Sequence, residues 1–171
     1  MASDYSSERG NPTVAACQTP VGLHDVSLTF TGDQLHLRGG GALRSYPAKS
    51  GGTSANYASI PKGRYWVQPA ELWSRGLLTN TALCISAAAS SKTCHEMIDG
   101  HTAAWGDYRL TIHPYPGTNV GDRGGFFIHG GAAFGSKGCI DLAGEMNRFV
   151  EDLGSLLGSR RANCYIDLEV T

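Results

Sequence analysis

Hydrophobic residues along this chain recur at a period of two in several short runs, and at about 3.6 in only one segment. In DVSLTFTGDQLHLR (25–38), Val26, Leu28 and Phe30 share one face of an extended chain, and Leu35 and Leu37 share one face of a second. Gly32-Asp33 breaks the run, which predicts a β-hairpin. The same alternation predicts short strands at Ala42–Tyr46 and at Arg64–Gln68, the latter fed by a Pro61-Lys62-Gly63 turn. It also predicts a strand in 105–114 through Tyr108, Leu110 and Ile112, a buried strand at FFIH (126–129) and a last strand in 163–171. The rest of 39–59 reads as a Gly/Ser loop, and 84–101 as a small-residue stretch bounded by cysteine. From Leu142 the period changes. Leu142, Met146, Phe149, Val150, Leu153, Leu156 and Leu157 form one stripe of an amphipathic helix, with Asp141 as expected N-cap and Gly158 as expected stop. The expected class is mostly β (α+β) with one main amphipathic helix.

A chain of 171 residues suits one domain. No repeat or linker divides it, so 1–171 is expected to be a single unit, with 1–24 as a polar N-terminal arm on a core of 25–171. Lys plus Arg is 14 against 15 for Asp plus Glu, without the basic excess of a nucleic-acid binder. No stretch reaches the ~18 apolar residues of a membrane span. Neither nucleic acid nor a membrane is an expected partner. The first residues, MASDYSSERGNPTVAAC, contain no apolar signal core. Either a leader has been removed or the protein leaves its cell by a route that needs no cleavable signal.

The chemistry is expected in FFIHGGAAFGSKGCIDL (126–142). His129 ends a strand and Cys139 follows ten positions on, across a loop holding Gly130, Gly131, Gly135, Ser136 and Gly138. A strand-end imidazole and a thiol joined by such a loop can meet at hydrogen-bond distance, the minimal activated nucleophile. A helix starting directly after Cys139 would lower the thiol pKa. Backbone N–H groups near Gly138 and Cys139 would then hold the oxyanion of an acyl-transfer intermediate.

These residues resemble the L,D-transpeptidase catalytic domain, which carries His-Gly followed by Ser/Thr-x-Gly-Cys. Here the match is Ile128-His129-Gly130 and Ser136-Lys137-Gly138-Cys139-Ile140. The classical enzymes have a longer insert between the halves and often a His where Lys137 stands. The compact spacing is more similar to the small toxin branch, the peptidoglycan-directed effectors of type VI secretion. Ile60–Tyr65, Trp105–Leu110 and Gly124–Ile128 extend the resemblance over about 25–171.

The resemblance implies an L,D-transpeptidase-like β-sandwich or barrel with its main helix after the catalytic cysteine. It implies a peptidoglycan stem-peptide amidase, similar to the second family of type VI amidase effectors, that cuts the D-Ala–meso-diaminopimelate cross-link. Cys139 would attack, His129 would move the proton, and a backbone carbonyl at the Ser136 position would orient the imidazole. The alternative within the fold is an L,D-transpeptidase or L,D-carboxypeptidase toxin acting on the terminal D-Ala of the tetrapeptide. A non-catalytic wall-binding module on the same fold is the alternative of another class. The resemblance further implies no cofactor, a cognate immunity protein, and delivery into the periplasm of a target bacterium.

Other residues carry two readings each. Asp141 is a helix cap or the third catalytic group. Arg109 and Arg123 bind a substrate carboxylate or are solvated, and His113 faces the cleft or packs. His95, Glu96, Asp99 and His101 lack the i, i+4 spacing of a zinc helix, so no metal is expected. With Cys139 reserved as the nucleophile, the other four of the five cysteines allow three connectivities. Cys84–Cys94 closes the shortest loop, which leaves Cys17–Cys164. Two such bonds fit an oxidising destination.

Overall fold

The computed structural model describes residues 10–19, 26–52, 57–76, 84–87, 90, 93–158 and 163–171. The first alternating run folds as strands β1 (Ser27–Phe30) and β2 (Gln34–Gly39), turning at Gly32, whose φ is 97°. Leu28 pairs with Leu37 and Phe30 with Leu35, so the apolar residues of both strands share the core face. Strands β3 (Ala42–Pro47) and β4 (Lys49–Ser50) follow, then β5 (Gly63–Val67) and β6 (Trp73–Ser74). Helix α1 (Cys94–Trp105) leads into β7 (Tyr108–Pro114), β8 (Phe126–His129) and β9 (Ile140–Asp141). Helix α2 (Met146–Leu157) and β10 (Ile166–Val170) complete the chain.

The strands make one sheet in the order β3-β2-β1-β10-β5-β7-β8-β9-β4, with β6 paired to β7. Only Ala48 separates β3 from β4 in the chain, yet they lie at opposite ends of that order. The sheet therefore curls back on itself as a nearly closed barrel. β1 and β10 run parallel, as do β8 and β9; the other neighbours are antiparallel.

Helix α2 supplies Met146, Phe149, Val150, Leu153 and Leu156 to the core. Burying each such side chain is worth about 1.5–3 kcal/mol over exposure, so packing, more than propensity, holds this helix. The Phe149 ring meets Tyr46 edge-on at 5.4 Å, and the Tyr46 hydroxyl donates to Asp152 at 2.7 Å. Leu156 lies so close to β2 that a Cβ at Gly39 would sit 2.7 Å from its Cδ2. Gly158 ends the helix at φ 70°, as expected.

Three expectations need correction. The helix after Cys139 begins at Met146, preceded by a 3-10 turn at Ala143–Glu145, while Asp141 lies in β9 and caps no α-helix. A second helix, α1, occupies the stretch read as small-residue-rich. It starts at a capping box in which Thr93 Oγ1 accepts from Glu96 N–H and the Glu96 carboxylate accepts from Thr93 N–H. The 39–59 loop also contains β4, which pairs with β9.

Cys17 is bonded to Cys164 and Cys84 to Cys94, and Cys139 is free. The described part of the arm lies along the last strand, where Ala16 bridges Tyr165 and Cys17 N–H donates to the Tyr165 carbonyl at 2.8 Å. Trp66 Nε1 donates to the Gly10 carbonyl. The rest of the arm, 1–9 and 20–24, lies outside the described residues.

Candidate active site

Strand register brings the candidate residues together. Arg109 on β7 pairs with His129 on β8, and His129 pairs with Asp141 on β9. Lys49 on β4 pairs with Asp141 in turn. Side chains of paired residues project from the same face of a sheet. One rung, Arg109–His129–Asp141–Lys49, thus crosses four strands on the face away from the core. Two residues earlier on β8, Phe127 lies on the same face, and its N–H acts on the Cys139 thiol, which stands just ahead of β9.

His129 is buried, and its Nδ1–H donates to the Gly130 carbonyl at 2.6 Å. That leaves Nε2 as the basic nitrogen. The orienting carbonyl is therefore that of the residue after the histidine, in place of the one expected at position 136. Ser136 is buried and donates its hydroxyl to the Cys139 carbonyl at 2.7 Å, holding the turn that presents the thiol. Trp105, at the end of α1, places its ring 5.0 Å from the His129 ring and 6.1 Å from Phe127. Sequence reasoning assigned this tryptophan to the following strand. The capping signal Thr93-x-x-Glu96 marks the helix that ends on it.

The Cys139 thiol is 7% exposed. Burial pushes its pKa up to about 11; the Phe127 N–H and Arg109 oppose this, and Asp141 adds to it. Its sulfur lies 3.9 Å from the Gly125 carbonyl. The expected thiolate at a helix N-terminus is not what the fold builds, because a strand and a 3-10 turn separate Cys139 from α2. Cys139 and His129 do not hydrogen-bond to each other in this state. Gly138 stands at φ 105°, and a Cβ there would collide with the Arg123 guanidinium and the Phe126 ring.

Asp141 is buried, with Oδ1 accepting from Ala143 N–H at 2.8 Å and Oδ2 from Gly135 N–H at 3.1 Å. Burial pushes its carboxyl above the usual range, while Ala143, His129 and Gly135 pull it down. The Arg109 guanidinium lies over Trp73 at 4.4 Å, with Trp105 at 5.5 Å and Phe127 at 5.7 Å. Arg123 donates to the Ser59 and Ala58 carbonyls, both at 2.8 Å, which ties the 58–59 loop to the Gly138 turn. His113 stacks on Trp66 at 4.2 Å, and its Nε2 meets the Glu71 carboxylate at 2.6 Å. Arg123 and His113 are thus structural ties, and the cluster comprises Cys139, His129, Asp141 and Arg109.

Two clefts flank the rung. One of about 390 Å³ is lined by Gly130, Gly131, Ala143 and the end of α1. The other, about 620 Å³, is lined by Lys49 to Gly52, Tyr57, Phe134 and Gly135. Each contains one of the two backbone partners of Asp141, so that carboxylate lies at the divide between them.

Among the described residues no His, Cys, Asp and Glu group is arranged to hold a metal ion. Glu96 is committed to its capping box, and burial, with Arg109 and Arg75 adding to it, pushes the His101 pKa down. The Asp99 side chain is outside the described residues. Among them, too, no helix is long and apolar enough to cross a membrane. No family model matches the chain, and no curated protein matches it in sequence.

Proposed function

We propose that the protein is a cysteine amidase of the L,D-transpeptidase-like kind, cleaving peptidoglycan stem peptides at the D-Ala–meso-diaminopimelate cross-link as a secreted antibacterial toxin. The observation that carries the proposal is the β8–β9 pairing. It sets His129, whose Nδ1 is fixed on the Gly130 carbonyl, level with Asp141, two residues past the free, buried Cys139. Substrate entering between the two clefts draws the thiol toward Nε2; apo hydrogen bonds of this kind often tighten only in the complex. His129 takes the thiol proton as Cys139 attacks the peptide carbonyl. The developing oxyanion is met by backbone N–H groups of the Gly138–Cys139 turn, and the imidazolium returns the proton to the leaving amine. Water hydrolyses the thioester. Asp141, in register with His129, stabilises the imidazolium while it exists. Two disulfides beside one free cysteine suit a protein working in the periplasm of a target cell. A producer of such an enzyme requires an immunity protein to protect its own wall.

Incubation of purified sacculi with the protein, followed by separation of muropeptides, tests this. Cross-linked dimers should fall and monomer tetrapeptides rise with the native protein and not with Cys139→Ala. Tripeptides instead would assign the L,D-carboxypeptidase reaction. Equal sacculus binding by both proteins with unchanged muropeptides would assign the wall-binding module and remove the enzyme.

A further inference from the structure

The two clefts beside the catalytic rung differ in chemistry. The smaller one is walled by glycine, alanine, Thr102, Met146 and Asn147, and its one carboxylate among the described residues, Asp107, is held by Arg75 at 2.9 Å. The larger one is basic and aromatic. Lys49 lines it at the Asp141 level of the sheet and Ser50 at the Ile140 level, next in the chain to Cys139. The cleft therefore runs along the partner of the strand that follows the nucleophile. Its far wall is Tyr57, 41% exposed, and Phe134, 46% exposed. Lys137 borders it, with Nζ 5.4 Å from the centre of the Tyr57 ring. Among the described residues neither lysine has a carboxylate partner, and no acidic side chain lines this cleft. Two cations without counter-ions beside two exposed rings form a site for an anionic ligand with some apolar surface.

We infer that the cleft between β4 and the 134–137 loop is the subsite for the carboxylate-bearing arm of a stem peptide, with Lys49 and Lys137 as its charge anchors. This rests on the peptidase reading above and adds a direction to it. The anionic arm lies over Gly51 and Lys49, and the other side of the scissile bond lies over Gly130 and Gly131. A wall stem peptide presents free carboxylates along its length, and its lactyl and alanyl methyl groups can lie against Tyr57 and Phe134. Specificity then comes from charge more than shape, so binding should weaken with salt.

The test uses the Cys139→Ala protein, so that binding is read without turnover, and a soluble stem tetrapeptide as probe. Calorimetry should show affinity falling at least tenfold in Lys49→Glu and again in Lys137→Glu, and several-fold in Phe134→Ala. The same peptide with its carboxylates amidated should bind the unaltered cleft at least tenfold more weakly. Both lysines are exposed, and unchanged circular dichroism would confirm folding. Equal affinity across the lysine variants, no tetrapeptide binding, or preferential binding of a peptide-free glycan oligomer would each overturn the inference. The two proposals fail separately. Charge-dependent binding with intact sacculi would retain the subsite and remove the amidase. Sacculus cleavage with a KM indifferent to Lys49→Glu would do the reverse.

Discussion

Cys139 rests as a neutral thiol, because taking its charge out of water outweighs the help of Phe127 N–H and Arg109. A preformed thiolate–imidazolium pair would alkylate at a rate already flat in mildly acid solution. Here the iodoacetamide rate at Cys139 should instead keep rising through pH 9–11, read by mass spectrometry of the 139-containing peptide. The same shift fixes a stability window. The folded thiol holds its proton to about 11, whereas the unfolded one releases it near 9.0. Its contribution is full below pH 9 and is lost as pH rises to 11, by about 3 kcal/mol. Cys139→Ser should lose less stability over that interval in urea titrations. Asp141 is a second residue whose role is local. Asp141→Ala leaves the N–H groups of Gly135 and Ala143 without their carboxylate. A loss of about 2 kcal/mol is expected in thermal unfolding, less than two charge-assisted hydrogen bonds because burying the carboxylate already costs something. Cys139 and His129 stood out in the sequence because His-Gly and Ser-x-Gly-Cys fall within one stretch of eleven residues, 129–139. The carbonyl on His129 was misplaced at 136, since nothing in a linear motif says which amide an imidazole will meet.

Helix α1 buries no described side chain fully, yet its last residue forms a wall of the His129 site. An isolated helix of twelve residues is marginal in water. The ties that hold it are the Thr93–Glu96 capping box, the Cys84–Cys94 bond, Arg75 on Thr102 and Asp107, and Ala132 N–H on the Ala103 carbonyl. In the chain-entropy picture the short disulfide loop is worth about 2–3 kcal/mol. Replacing Cys84 and Cys94 by serine should raise amide exchange across 94–105 and lower the sacculus-cleavage rate severalfold, with exchange in β1, β2 and α2 unchanged. Equal exchange in α1 would show that the bond does not hold the helix. Period alone missed this element because its apolar residues form no clear stripe. The strands β4 and β6 were missed for a related reason: two residues are too few to show alternation. By contrast α2, with five buried apolar residues on one face, was legible at once, apart from its first turn.

Across the whole molecule, closure of the sheet and the long-range disulfide act together. Cys17–Cys164 spans 147 residues and pins the described arm at the start of β10, which lies between β1 and β5 in the strand order. The chain-entropy ceiling for such a loop is about 5 kcal/mol, so Cys17→Ala/Cys164→Ala should unfold at clearly lower denaturant than the Cys84/Cys94 double variant. Titration of the denatured, unreduced protein should find about one free thiol; five would contradict both bonds.

The sequence by itself determined the local structure: which runs extend, which segment winds into the core-packing helix, and which cysteine stands apart beside a histidine. Alternation and 3.6-residue periodicity are properties of neighbours along the chain, so they survive in one dimension. The barrel order, the Arg109–His129–Asp141–Lys49 rung and the high thiol pKa were decided only by the tertiary structure. Each depends on which strands pair, in what register, and how much water the pairing excludes, and those are relations between residues far apart in sequence.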